Sequence, residues 1–309
     1  MRRMLICISV CAYFQSSVLA EPFELKDGDK VVWLGSTLIE REQRYGYWET
    51  ALTARWPNRN ITFRNLGWSG DNVFGEARLA FDINNPALGL KRMVDLTLAE
   101  KPTVIFICFG TNESFEGEAG LEKFQKGYEK LLDALAPAKA RIVLMTPLPF
   151  EKSSLGLPDP TEANRRLEVY CSTIRKLVDS RKLTLADLNQ SVSGLTKAEA
   201  NPRLLTDNGV HLTEKGYEWT TEAFGAAFDF ETDWLKKIAA TGTESLRQTI
   251  IDKNQLYFYR WRPQNETYLF GFRKHEQGRN AKEVAEFDPL ISAKEKEIAK
   301  LRVPKSSRQ

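Results

Sequence analysis

The sequence predicts a parallel α/β sheet with helices on both faces, followed by a helical extension. Three observations carry that expectation. Five short apolar runs recur through the first two-thirds of the chain, and segments of helical period separate them. The runs are continuously apolar rather than alternating, as strands buried on both faces must be. Small and polar residues gather where the runs end, where open α/β sheets carry their functional loops.

The five runs are "KVVWLG" (30–35), "ITFRNLG" (61–67), "TVIFICFG" (103–110), "RIVLMTP" (141–147) and "LTLADL" (183–188). "YWETALTARW" (47–56) is the first helical segment and "LKRMVDLTLAE" (90–100) the second. In "LEKFQKGYEKLLDALA" (121–136), Leu121, Phe124, Tyr128, Leu131, Leu132 and Leu135 share one helical face. "TEANRRLEVYCSTIRKLVDSR" (161–181) is a longer helix with Thr161 expected as its cap. From about residue 231 the pattern changes. A helical stretch leads away from the sheet, a polar and aromatic segment follows, and a charged helix (289–302) and a basic tail close the chain. These last residues hold too little apolar material to fold alone, so residues 231–309 are expected to pack on a main domain spanning 21–230.

Arg2 and Arg3 precede an apolar stretch, Met4 to Phe14, and Val18-Leu19-Ala20 suits signal cleavage. Residues 1–20 are therefore expected to be a Sec-type signal, with a secreted or periplasmic mature chain starting at Glu21. The apolar stretch is too short to span a bilayer comfortably. Without Arg2 and Arg3 the chain has 42 basic and 41 acidic residues, and it holds no basic run. That balance gives nucleic-acid binding no electrostatic support. Cys108 lies inside an apolar run and is expected to be a buried free thiol, with a Cys108–Cys171 disulfide as the less favoured alternative. Two distant histidines and no Cys–His spacing give no support for a metal site.

The residues at the run ends form an inventory for acyl transfer. Gly35-Ser36-Thr37 follows the first run, with Glu40 one helical turn later. "NLGWSGDN" follows the second, with Ser69, Gly70 and Asp71; "GTNE" follows the third, with Asn112 and Glu113; "TDNGVHLTEKGYEW" supplies Asp207, Asn208 and His211. Acyl transfer needs a nucleophile, an oriented base and donors around a developing oxyanion.

In this order and at these positions the chain resembles the SGNH (GDSL-type) hydrolases. Gly35-Ser36-Thr37-Leu38-Ile39-Glu40 is similar to their G-D-S-x-[ST]-E block, and Gly67-Trp68-Ser69-Gly70-Asp71-Asn72 to G-x-S-G-[DN]-[TN]. Gly110-Thr111-Asn112-Glu113 is similar to G-x-N-[DE], and Asn208 to Tyr217 to D-G-x-H-L-[TS]-x-x-G-[YH]. The resemblance covers roughly residues 28 to 228, and with its extension the chain looks like secreted SGNH-like proteins of planctomycete-type bacteria. It implies a flavodoxin-like three-layer sandwich with a five-stranded parallel sheet and no cofactor. It also implies His211 as general base, with the Gly70 N–H and the Asn112 amide in an oxyanion hole.

Two positions depart from the pattern. Thr37 stands where the family has its serine nucleophile, and Ser36 where it has aspartate. Asn208 stands three residues before the histidine, where the family has the orienting aspartate, with Asp207 one place earlier. Register favours Thr37 as nucleophile, although its methyl restricts χ1 and Ser36 is the less hindered hydroxyl. Either Asp207 or Asn208 remains open as the partner of His211. The expected activity is hydrolysis of an ester, with a carbohydrate O-acetyl group among the substrates, through an acyl-enzyme. The alternative is an SGNH cleft that binds a ligand or glycan without turnover. Asp71 and Glu113 are expected to hold loops together, and His275 to lie on the surface. Trp261, Arg262, Gln264 and Asn265 either cover the site or simply pack.

Overall fold

The computed structural model describes residues 23–79, 83–152, 156–198, 205–228, 230 and 243–302. The expected signal (1–20), the stretch 231–242 and the basic tail lie outside the described residues. Five strands form one parallel sheet in the order β2-β1-β3-β4-β5. They are β1 (Lys30–Gly35), β2 (Thr62–Asn65), β3 (Val104–Cys108), β4 (Arg141–Met145) and β5 (Thr184–Ala186). Each lies within a run read from the sequence.

The sheet is buried on both faces. Val31, Trp33, Phe106 and Cys108 point into one apolar core, and Val32, Leu34, Ile105 and Ile107 into another. The first core is closed by α2 (Tyr47–Arg55), α6 (Leu188–Ala198) and α7 (Glu214–Ala226), through Trp48, Leu188, Tyr217 and Phe224. The second is closed by α3 (Ala87–Ala99), α4 (Leu121–Leu135) and α5 (Thr161–Arg181), through Met93, Phe124, Tyr128 and Ile174. Neighbouring strand residues face opposite cores, which is why the runs show no alternation.

The helix α1 (Thr37–Tyr45) is not among the helical segments read from the sequence. Its buried residues are Ile39, Glu40, Glu42 and Gln43, so three of the four are polar and the buried face shows no apolar period. A second difference concerns α5. Thr161 is the first helical residue rather than the cap, and the Asp159 carboxylate accepts its N–H at 2.9 Å. Cys108 and Cys171 are buried free thiols.

The extension lies along β2, the edge strand. The helix α8 (Thr243–Trp261) packs on α1, α2 and β2, and α9 (Phe287–Leu301) packs on α8. Between them run single helical turns and a 3₁₀ stretch (Gly278–Glu286). Lys253 donates to Glu49 Oε1 at 2.6 Å and to the Phe63 carbonyl of the edge strand at 3.2 Å. Asn254 completes the buried cluster through Glu49 Oε2 at 2.9 Å. Covering an edge in this way satisfies backbone groups that would otherwise template pairing with another chain. No helix among the described residues is long and apolar enough to cross a membrane.

Candidate active site

Thr37 opens α1 immediately after β1. The chain turns there because Gly35 is closely approached by Ile39 and by the Cys108 carbonyl, leaving no room for a side chain. The Ser36 carbonyl then accepts the Ile39 and Glu40 N–H groups at 3.1 Å, starting the helix. Thr37 thus projects from a helix N-terminus, where the helix dipole favours developing negative charge.

The loop after β2 crosses over the start of α1. Gly67 sits against the backbone of Ile39 and Glu40, again too close for a Cβ. Asn65 bridges the two, donating to the Ile39 carbonyl at 2.7 Å and accepting the Gly67 N–H at 2.8 Å. Glu40 accepts both the Ser69 N–H and the Ser69 hydroxyl at 2.8 Å. Gly70 follows with φ +75°, a left-handed conformation that suits glycine. Its N–H donates to Thr37 Oγ1 at 3.1 Å. Ser36 lines the same cleft, but it is Thr37 that receives the Gly70 N–H.

Asn112 follows β3. Its amide donates one N–H to the Asp71 carbonyl at 2.7 Å; a carboxamide has two, and the second is the one available to a ligand. Glu113 ties this turn to the β2 loop by accepting the Val73 N–H at 2.8 Å and the Gly110 N–H at 2.9 Å. Burial pushes its carboxyl up to about 7. Asp71 is fully buried against Arg78 at 2.6 Å. Asp71 and Glu113 are therefore occupied in holding the loops that carry Gly70 and Asn112.

His211 comes from a pinched loop before α7. Thr206 and Leu212 bridge antiparallel, and the Glu151 carboxylate takes the Leu205 and Thr206 N–H groups at 2.7 and 2.8 Å. Thr213 caps α7 by accepting the Gly216 N–H at 3.2 Å. Asn208, not Asp207, meets the imidazole: Asn208 Nδ2 lies 3.0 Å from His211 Nδ1. Asp207 instead pairs with Arg41 at 2.9 Å. Burial lowers the His211 pKa, and Arg41 lowers it further against the opposing pull of Asp207, which favours the neutral ring.

The orientation of the Asn208 amide follows from its other contacts. Asn208 Oδ1 accepts the Val210 and His211 N–H groups at 3.1 and 2.9 Å. The NH₂ end must then face the ring, so Nδ1 is an acceptor and the ring proton sits on Nε2.

Thr37, Asn112 and His211 line one small cleft with Ser36 and Thr111, walled by Leu38, Leu148 and Val210. Gly70 reaches it through its bond to Thr37. Among the described residues no group of three or more His, Cys, Asp or Glu side chains is arranged to hold a metal ion. His275 is largely exposed, 3.6 Å from Glu276. Arg41 escaped the reading because the pair that it makes with Asp207 spans 166 residues, and nothing local signals it.

A hydroxyl at a helix start, backbone and carboxamide donors beside it, and a histidine across one cleft at the strand ends of a parallel sheet define the layout of an acyl hydrolase. The chain belongs to the GDSL-like lipase/acylhydrolase family, whose model matches residues 28–219. The fold is similar to that of the acetylxylan esterase of Geobacillus stearothermophilus, at 19% identity over 69% of this chain and 98% of that one, with a TM-score of 0.52. It is also similar to a gut microbial diltiazem-metabolizing enzyme, at 13% identity over 91% of this chain and 96% of that one, with a TM-score of 0.59. No curated protein sequence shows a significant match.

Proposed function

We propose that the protein is an extracytoplasmic ester hydrolase that forms an acyl-enzyme on Thr37. The observation that carries this reading is the Gly70 N–H directed at Thr37 Oγ1, in a cleft that also holds Asn112 and His211. Once the ring proton has moved from Nε2 to Nδ1, Thr37 Oγ1 attacks the ester carbonyl carbon as its own proton passes to the freed Nε2 of His211. The oxyanion is held by the N–H groups of Thr37 and Gly70 and the second amide N–H of Asn112. The imidazolium protonates the leaving alcohol, and water then cleaves the acyl-threonine by the same route. Leu38, Leu148 and Val210 give the otherwise polar cleft an apolar side that suits a short acyl group, and a carbohydrate O-acetyl ester is the substrate class that we favour. The acetylxylan esterase among the similar folds acts on esters of that kind by name.

The test is hydrolysis of p-nitrophenyl acetate by protein starting at Glu21, beside three variants. Thr37→Ala and His211→Ala should each lower kcat by at least 10³-fold, as loss of nucleophile or base does in comparable sites, while Ser36→Ala retains activity. Activity that survives Thr37→Ala overturns this mechanism.

One observation favours a second reading, a cleft that binds an ester or glycan with little turnover. With the ring proton on Nε2, His211 offers no lone pair to Thr37. The base-competent tautomer would set Nδ1–H against the Asn208 NH₂ group. Rotating that amide would sacrifice its two backbone bonds. Saturable binding of an acetylated oligosaccharide without product release would support this reading, and His211-dependent turnover would exclude it.

A further inference from the structure

The family match ends at residue 219, yet the loop that carries Gly70 is gripped from beyond it. Arg262 follows the last turn of α8, and Pro263 stops the helix there. Arg262 Nη1 donates to Glu40 Oε2 at 2.8 Å, and its guanidinium carbon lies 3.5 Å from the centre of the Trp68 ring. Trp261 packs edge-on against the same ring at 5.8 Å.

Glu40 is the hinge of this arrangement. It is buried and stands three residues after Thr37 on α1, and its oxygens hold both the N–H and the hydroxyl of Ser69. Ser69 adjoins Gly70, and the Gly70 N–H reaches Thr37 Oγ1. One carboxylate thus joins the helix that bears Thr37 to the loop that bears the oxyanion donor. Among the described residues Glu40 also pairs with Arg44, which is mostly exposed and 3.7 Å away. Without Arg262 the buried carboxylate would lose its well-placed counter-charge, and Trp68 the guanidinium seated closest on its ring, Arg92 and Arg78 lying farther off at 5.2 and 5.4 Å.

We propose that Arg262 is a positioning residue. Through Glu40 and Trp68, the C-terminal extension fixes the Ser69-Gly70 segment against Thr37. Arg262 does not line the cleft, so it acts on substrate only through this loop. The catalytic side of the proposal rests on the ester-hydrolase reading; the mechanical side does not.

The experiment compares Arg262→Gln and Arg262→Lys with the parent, and with Arg260→Gln, whose native partner is Asp288 within the extension. Two quantities are read: kcat and KM on p-nitrophenyl acetate, and residue-resolved amide hydrogen exchange. Arg262→Gln should lower kcat on the order of 10- to 100-fold with KM nearly unchanged, the scale of a small misplacement of catalytic groups. Ser69 exchange should accelerate at least tenfold, while the β1 and β3 amides exchange as in the parent. Arg262→Lys keeps the charge and loses the planar stack, so it should fall between the two, and Arg260→Gln should match the parent. Unchanged Ser69 exchange in Arg262→Gln overturns the proposal, as does a loss of protection spread evenly over β1 and β3. If Arg262→Gln does not fold, the same exchange criteria apply to Arg262→Lys. A parent inactive on every ester tried removes the hydrolase reading, and Ser69 exchange still decides the clamp.

Discussion

Asn208 uses its carbonyl oxygen on two backbone N–H groups, and this sets which end of its amide meets His211. An aspartate in the same place would keep both backbone bonds and accept a hydrogen bond from Nδ1–H, freeing the Nε2 lone pair toward Thr37. Asn208→Asp is therefore expected to raise kcat on p-nitrophenyl acetate by 10²-fold or more, the reverse of the roughly 10⁴-fold loss seen when a triad aspartate becomes asparagine. Nitrogen NMR of the His211 ring should show the proton moving from Nε2 to Nδ1. A variant with unaltered tautomer and rate would remove the explanation. At this scale the sequence showed the substitution, since Asn208 stands at the aspartate register. It did not show the amide's orientation, because that depends on two backbone donors brought round by a turn.

At the scale of the element, α1 illustrates what a pattern search misses. Its inward face carries Glu40 and Glu42, whose carboxylates bind Ser69 and the start of α2, and Gln43, whose Oε1 is buried without a hydrogen-bond partner. Glu42 Oε1 accepts the Trp48 and Glu49 N–H groups at the start of α2, at 2.8 and 3.1 Å, and Oε2 is buried without a hydrogen-bond partner. Burial pushes the Glu42 carboxyl up to about 8. A carboxyl that binds its proton more tightly folded than unfolded stabilises the fold fully below its ordinary value near 4.5, and that stability is lost as pH rises toward about 8. Glu113, at about 7, acts in the same direction over a lower range. Urea unfolding from pH 5 to 8 should show stability falling with pH. Glu42→Gln, which stays neutral, should reduce that slope by roughly 1 kcal/mol per pH unit. An unaltered slope would mean that Glu42 ionises freely in the folded chain.

At the scale of the molecule, the extension joins the sheet through buried polar contacts. Lys253 is fully buried against Glu49, and Tyr257 reaches Glu100 at 2.9 Å while filling the second core. Removing one member of a buried ion pair leaves an uncompensated charge, so Lys253→Met should cost roughly 3–5 kcal/mol in urea unfolding. A cost below about 1 kcal/mol would indicate that α8 docks by apolar contact alone. The change of pattern near residue 231 marks the extension in the sequence, but the partners of Lys253 and Arg262 lie about 200 residues away, and no local spacing names them.

The sequence alone determined the parallel sheet, the loops after β1, β2 and β3, the loop before α7 and the family, because these rest on local composition and on short motifs whose residues are adjacent in the chain. Thr37, Gly70, Asn112 and His211 could be named from it for the same reason. The tertiary structure decided which residue faces His211, that Asp207 turns to Arg41, and that Arg262 grips the Gly70 loop. Each of these depends on where distant backbone and charge come to rest: two backbone donors set the direction of the Asn208 amide, and distant arginines are the partners of Asp207 and of Glu40.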